Sequence, residues 1–210
     1  MIITVEGNIG SGKSTLLKNL ENMQDNNIVF VPEPVSEWLN IKAGDKNALE
    51  LFYENQKENS FWFQVLAYIT RLRNLMNIID NNPNKIIICE RSIYTDKYVF
   101  AKMLYESGNI SEIEWLTYSY WFDTFKDKTK LDLILYVNTK PDECYNRIIK
   151  RSRPEEVDKI SKDYLITCHQ KHIDWFKETE SKIIDIDGHE SIDEVMNKVK
   201  EILKGIINTC

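Results

Sequence analysis

The stretch "GNIGSGKST", Gly7–Thr15, follows directly on the apolar run MIITVE. It satisfies G-x-x-x-x-G-K-[ST] through Gly7, Gly12, Lys13 and Ser14, between an expected strand and an expected helix, and this context narrows the fold sharply. Glycines let successive backbone N–H groups turn inward, so the chain from Gly7 through Asn8, Ile9, Gly10, Ser11 and Gly12 to Thr15 can surround phosphate oxygens. A helix starting near Lys13 adds the positive end of its dipole. Lys13 can reach the β and γ phosphates, and the Ser14 hydroxyl can ligate Mg²⁺. The stretch reads as a nucleoside-triphosphate site.

The rest of the chain fits around that loop. Short apolar runs recur at 1–6, 27–31, 85–90, 132–137 and 182–187, separated by segments with helical patterning at 14–22, 46–80, 94–106, 111–126, 141–152, 158–180 and 190–207. Strands alternating with helices predict an α/β fold with a five-stranded parallel sheet, and nearly continuous apolar strands suit a sheet covered on both faces. With seven glycines, no repeat and no low-complexity linker, residues 1–210 are expected to form one domain. Lys and Arg number 27 against 33 Asp and Glu, a net charge of −6, which gives no global attraction for nucleic acid or an anionic membrane. Cys89, Cys144, Cys168 and Cys210 form no CxxC pair, so a reducing compartment without structural zinc is expected. A strand pattern from Ile2 leaves no room for a leader, and no apolar run approaches the ~18 residues of a membrane span, so the expected location is cytoplasmic.

Switches, motors and small-molecule kinases all use such a loop. "TKPD", Thr139–Asp142, resembles the guanine-reading element of GTP switches, but no DxxG follows an earlier strand. The simpler account is a turn into a helix, with Thr139 as cap and Pro141 in the first turn. Basic residues favour a kinase. In "NRIIKRSRPEE", Arg147 and Arg151 lie one helical turn apart and Arg153 precedes the break at Pro154. Three guanidiniums there can close over phosphates as a lid, at about 147–158, and neutralise charge on a transferring group. In "VPEPVSEW", Glu33 stands between two prolines that restrict its backbone from both sides. If the second strand neighbours the first, this stiff carboxylate reaches the γ phosphate and can take a proton from an attacking hydroxyl. Glu90, at the end of the third strand, can hold Mg²⁺ or its water, and Arg91 can bridge acceptor oxygen and transferred phosphate.

GNIGSGKST, VPEPVSEW, FQVLAYITRLR, ERSIYTDKYVF and RSRPEE, in that order over about residues 2–180, resemble the deoxyribonucleoside kinase family. The resemblance implies a P-loop kinase fold with an Arg-rich lid, and phosphorylation of the 5′-hydroxyl of deoxynucleosides by ATP or another NTP with Mg²⁺. It implies Glu33 as general base, Arg91 near the 5′-oxygen, Glu90 as the acid organising the metal, and Arg147, Arg151 and Arg153 as the lid. Tyr53 and Glu156 match the pair on the sugar 3′-hydroxyl, Gln64 the amide on the base edge, and Trp38, Phe63 and Phe100 the aromatic walls. A homodimer is implied through helices near 55–80 and 111–126. Independently, Gln64, Ala67 and Arg71 at i, i+3 and i+7 share a helix face. Arg71 and Asp96 resemble the pair of the deoxycytidine, deoxyadenosine and deoxyguanosine branch, and a buried pair would set a carboxylate against an exocyclic amine and disfavour the thymine methyl. Asp187–Gly188 falls where the adenine-binding loop is expected. ENQK at 54–57 and SRP at 152–154 depart from the family pattern, and His169 and His172 read as ordinary helix residues. The rivals are a thymidylate or other nucleoside monophosphate kinase, which needs an acceptor-phosphate site, and the GTP switch.

Overall fold

In the computed structural model, residues 1–22 and 25–207 are described; Cys210 lies outside them. Five strands form the central sheet: β1 (Ile2–Glu6), β2 (Ile28–Val31), β5 (Ile86–Glu90), β6 (Leu133–Asn138) and β7 (Lys182–Asp187). All neighbours are parallel, in the order β2-β5-β1-β6-β7. A two-stranded antiparallel hairpin, β3 (Lys42–Ala43) with β4 (Lys46–Asn47), stands apart from it. β1, β5 and nearly all of β6 are buried, as expected of strands with helices on both faces. On one face α1 (Lys13–Glu21) and α10 (Ile192–Ile207) bury Leu16, Leu20, Val199 and Leu203 against Ile3, Val5 and Leu135. The other face carries α4 (Gln56–Asn81) and α9 (Lys162–Glu178), with Leu75, Cys168 and Trp175 packed on Ile87, Cys89 and Ile134.

The strand order does not meet one condition set above. β2 pairs with β5, not with β1, so β5 intervenes between the Glu33 turn and the glycine loop. The consequence is favourable for a site, because Glu90 and Arg91 at the end of β5 emerge between the two. The run at 46–80 is likewise not one helix. α3 (Ala48–Glu54) and α4 are separated at Asn55, whose φ of −145° leaves the helical region and whose side chain accepts from Glu58 N. Asn47 caps α3 in a reciprocal box with Glu50. Apolar periodicity runs on across Asn55, and the asparagine caps that divide it carry no apolar signal. The segment at 94–106 is α5 (Ile93–Thr95), a π-helical turn (Asp96–Ala101) and α6 (Lys102–Glu106). A π-helical turn inserted in a helix often marks a functional site. α2 (Val35–Asn40) follows Pro34 directly, a helix absent from the spans expected above. α7 (Glu112–Phe125) and α8 (Pro141–Arg151) match their expected spans, whereas the helix expected from 158 begins at Lys162, capped by Ser161.

Candidate active site

The glycine loop opens at the C-terminal end of β1. Gly7 has φ 145°, and a Cβ there would stand 2.7 Å from Val137 O; Gly10, at φ 79°, would put one 2.5 Å from Cys144 O. Only glycine fits so close to a neighbouring main chain in that conformation. Asn8 ties the loop to α9, its Nδ2 donating to Leu165 O at 2.8 Å. Lys13 spans the loop, Nζ to Asn8 O at 2.7 Å. Burial and the nearby Arg91 pull the Lys13 ammonium down to about 8, against the opposing pull of Glu90, Glu33 and Glu6. Ser14 Oγ donates to Glu90 Oε1 at 2.6 Å, which sets two hard oxygen donors beside the loop.

Behind the loop, Glu33 is held by two arginines. Arg91 Nη1 lies 2.8 Å from each Glu33 oxygen, and Arg71 Nη2 donates to Oε1 at 3.0 Å. Burial pushes this carboxyl up, but Arg91, Arg71 and Lys13 together outweigh it and hold it down at about 2. Arg71 also donates through Nε to Asp96 Oδ2 at 2.9 Å and through Nη1 to Glu90 O at 2.8 Å. Arg71 and Asp96 are 4% and 2% exposed, so their pairing is internal and not a surface salt bridge.

A cavity of about 710 Å³ joins these groups. Its wall holds Ile9, Gly10, Gly12, Lys13, Ser14 and Thr15 at one end and Gln64, Ala67, Arg71, Asp96 and Phe100 at the other, with Glu33, Glu90 and Arg91 between them. Tyr53, Glu156, Arg147, Arg151 and Arg153 also line it, as do Trp38 and Phe63. Trp38 and Phe63 meet edge to face at 5.6 Å, Trp38 Nε1 donating to Thr70 Oγ1 at 3.0 Å, and Arg91 lies 5.1 Å above the Phe100 ring. Gln64 is buried on that wall, and its Oε1 is a buried acceptor that meets no partner among the described residues. Burial and the nearby Glu156 push the Tyr53 phenol well up, keeping it a neutral hydroxyl donor.

Several expected residues are engaged by neighbouring groups. Arg147, on the cavity wall, donates to Ser11 O at 3.1 Å, Gly188 O at 3.0 Å and Glu143 Oε1 at 2.9 Å. Asp187 and Gly188 are off the cavity wall; Gly188 O accepts from Arg147, which also bonds the glycine loop. Arg151, the last residue of α8, and Arg153, just beyond the helix end at Ser152 (φ 54°), both bond Glu156, Arg153 at 2.7 Å. Thr139 is not the cap of α8. Its Oγ1 donates to Ser11 O at 3.0 Å, Lys140 takes the capping position, and Pro141 opens the helix. The TKPD stretch thus braces the glycine loop. Sequence reasoning missed Leu49, Phe52 and Tyr164 in the wall. The first two could have been found, since Leu49, Phe52 and Tyr53 recur at helical spacing; Phe52 stacks on Phe63 at 4.5 Å. Cys89, Cys144 and Cys168 are free and buried, and His172 sits in the α9 packing with Nδ1 2.7 Å from Cys168 O.

A profile of the deoxynucleoside kinase family matches residues 3–210. Deoxycytidine kinase 2 of Gallus gallus is 34% identical, covering 96% of this chain and 83% of its own length. The probable deoxycytidine kinase of fowlpox virus (strain NVSL) is 35% identical, over 97% and 86%. The mitochondrial deoxyguanosine kinase of Xenopus laevis is 32% identical, over 86% and 75%. A glycine loop, an acid clamped by arginines and a family match over nearly the whole chain agree: the chain belongs to the deoxynucleoside kinase family, enzymes that phosphorylate deoxynucleosides from a nucleotide donor.

Proposed function

We propose that the cavity takes a deoxynucleoside between its aromatic walls, with the 5′-hydroxyl at Glu33 and the donor's phosphates in the glycine loop. The observation that carries this is the position of Glu33, fixed by Arg91 and Arg71 at the junction of the loop end and the apolar end. Glu33 accepts the hydroxyl proton as phosphoryl transfer proceeds. Its low affinity for protons is no obstacle, because this chemistry depends mostly on alignment and charge neutralisation. Arg91 steadies the acceptor oxygen and the transferring group, and Lys13 the donor's outer phosphates. Arg151 and Arg153 exchange Glu156 for phosphate as the lid at about 147–158 closes, while Arg147 and the Asp187–Gly188 turn support the donor end. Tyr53 and Glu156 hold the sugar 3′-hydroxyl. ATP or another NTP is the donor. Ser14 and Glu90 fit Mg²⁺, since their paired oxygens supply the one or two protein ligands that this ion takes beside substrate phosphates. Bound there, Mg²⁺ neutralises phosphate charge.

At the base end, Gln64 and the Arg71–Asp96 pair favour deoxycytidine and purine deoxynucleosides over thymidine. The exocyclic amine of cytosine or adenine is a donor for Gln64 Oε1 and the Asp96 carboxylate, whereas thymine would press a methyl on buried charge. The names of the relatives agree with that preference. A nucleoside monophosphate kinase would need a cation for the acceptor phosphate, and Arg71, the candidate, is already committed to Asp96, Glu33 and Glu90 O.

The chain acts in nucleotide salvage as one kinase domain and as a homodimer through α4 and α7, where Ile113 and Tyr120 are 70% and 76% exposed beside Leu116, Trp121 and Ile69. No described helix is long and apolar enough to cross a membrane, and three free cysteines suit the cytoplasm. Glu33→Gln is the test. Binding of nucleoside should persist while turnover falls by on the order of 10²–10⁴; turnover at the wild-type level would defeat the assignment.

A further inference from the structure

Glu6, the last residue of β1, is fully buried beneath the glycine loop and does not line the cavity. A buried carboxylate at the centre of a sheet is costly unless it organises its surroundings. One oxygen, Oε1, accepts three hydroxyls: Thr4 at 2.7 Å, Ser92 at 3.0 Å and Thr95 at 2.6 Å. Ser92 and Thr95 are themselves the reciprocal cap of α5, Ser92 N donating to Thr95 Oγ1 at 3.1 Å and Thr95 N to Ser92 Oγ at 3.3 Å. The residue just before this cap is Arg91, at φ 60°. A non-glycine residue in the left-handed region is strained by ~1–3 kcal/mol and persists only where its neighbours over-determine it. Two bonds from the end of β1 do so: Arg91 N to Val5 O at 3.1 Å, and Ser92 Oγ to Glu6. The residue just after the cap is Asp96, which holds Arg71.

We infer that Glu6 is a positioning residue for phosphoryl transfer. It locks the Ser92–Thr95 cap, and with it the strained Arg91 backbone that aims the guanidinium at Glu33. Two further atoms support the connection. Arg91 Nε and Nη2 are buried with no hydrogen-bond partner among the described residues, so the guanidinium is held by Nη1 on Glu33 and by the Phe100 ring, and its aim depends strongly on the Arg91 backbone. Arg91 also feels Glu6 directly: burial pushes the Glu6 carboxyl up, and the arginine is among the groups that pull it back.

This inference rests on Arg91 and Glu33 serving the reaction as proposed above. Its test is a kinetic comparison of Glu6→Gln, Thr95→Val and Thr95→Ser with wild type, normalised to folded protein. Thr95→Val keeps the shape and removes the hydroxyl that reaches Glu6, while Thr95→Ser keeps the hydroxyl. Glu6→Gln and Thr95→Val should lower kcat by on the order of 10- to 100-fold, the scale of a small misalignment of reacting groups, with nucleoside and NTP KM within about threefold. Thr95→Ser should keep wild-type kcat. A merely structural role would lower the melting temperature and leave kcat of the folded fraction untouched, and that result overturns the inference. Equal losses in Thr95→Val and Thr95→Ser, or a loss confined to KM, overturn it as well. Should Glu6→Gln not fold, the two Thr95 variants decide alone. An active Glu33→Gln would sink the reaction assignment instead, whereas an inactive Glu33→Gln beside a fully active Thr95→Val would sink only the role of Glu6.

Discussion

Replacing Arg71 and Asp96 together, Arg71→Met with Asp96→Ala, separates two things that the pair does. Singly, each change strands a partner. Asp96→Ala leaves Arg71 with Glu33 at 3.0 Å and Glu90 O at 2.8 Å, so its cost lies at the low end for a broken buried pair, about 3 kcal/mol. Arg71→Met strands Asp96, whose hydrogen bond is to Arg71 Nε at 2.9 Å, and costs about 4 kcal/mol. The double change leaves no uncompensated charge between them and should cost about 4–5 kcal/mol instead of their sum, a coupling of about 2–3 kcal/mol. Selectivity moves separately. Losing charge-assisted contacts to an exocyclic amine, about 2.7 kcal/mol, lowers kcat/KM for deoxycytidine about 100-fold. Room for the thymine methyl returns about 0.8 kcal/mol, or about fourfold, to thymidine. Their quotient shifts toward thymidine by several hundredfold, while any effect through Glu33 falls on both substrates and cancels. Urea denaturation of the four proteins gives the coupling, and initial rates with deoxycytidine and thymidine give the quotient. Additive stabilities, or a quotient unmoved by the double change, would show that this pair neither shares its charge as described nor meets the base.

Other expected outcomes are simpler. Glu33 is held at about 2 against an ordinary 4.5, so its contribution to stability is complete above about 4.5 and is lost as the pH falls toward 2; Arg91→Ala should move that acid loss upward in a pH series of thermal melts. Lys13, pulled down to about 8, should take up a proton when NTP binds near that pH, giving calorimetric enthalpies that depend on the buffer's ionisation heat; buffer-independent enthalpies would contradict its place beside the phosphates. Gly10→Ala sets a Cβ 2.5 Å from Cys144 O at φ 79°, and NTP binding should be lost, measured by titration, while nucleoside binding survives. Tyr120→Glu on α7 should yield monomers in sedimentation if that apolar face is the contact between copies.

The shape of the glycine loop was legible because its demands are local: Gly7, Gly10 and Gly12 all take φ between 79° and 145°. The parallel sheet was legible from its apolar runs. Strand order was not, because nothing in IVFV or IIICE says which of them lies beside β1, and the Glu33 turn reached its place by way of β5. Caps at Asn47 and Asn55 were lost for a related reason, since apolar periodicity passes over a polar residue that acts through one main-chain bond. Glu6 is the sharpest case. In MIITVEG it reads as the polar end of a strand, yet its oxygen gathers hydroxyls from residue 4 and from residues 92 and 95, the last two on a segment more than 80 positions away. Glu33 was noticed because two prolines stiffen it locally, but the force that aims it comes from Arg71 and Arg91, on two other elements. Local sequence therefore marks the groups whose backbone must be special, and tertiary contact determines where their charge points. Arg91 belongs to both classes, strained at φ 60° and bonded to Glu33, which makes it the residue where fold and chemistry are most directly coupled.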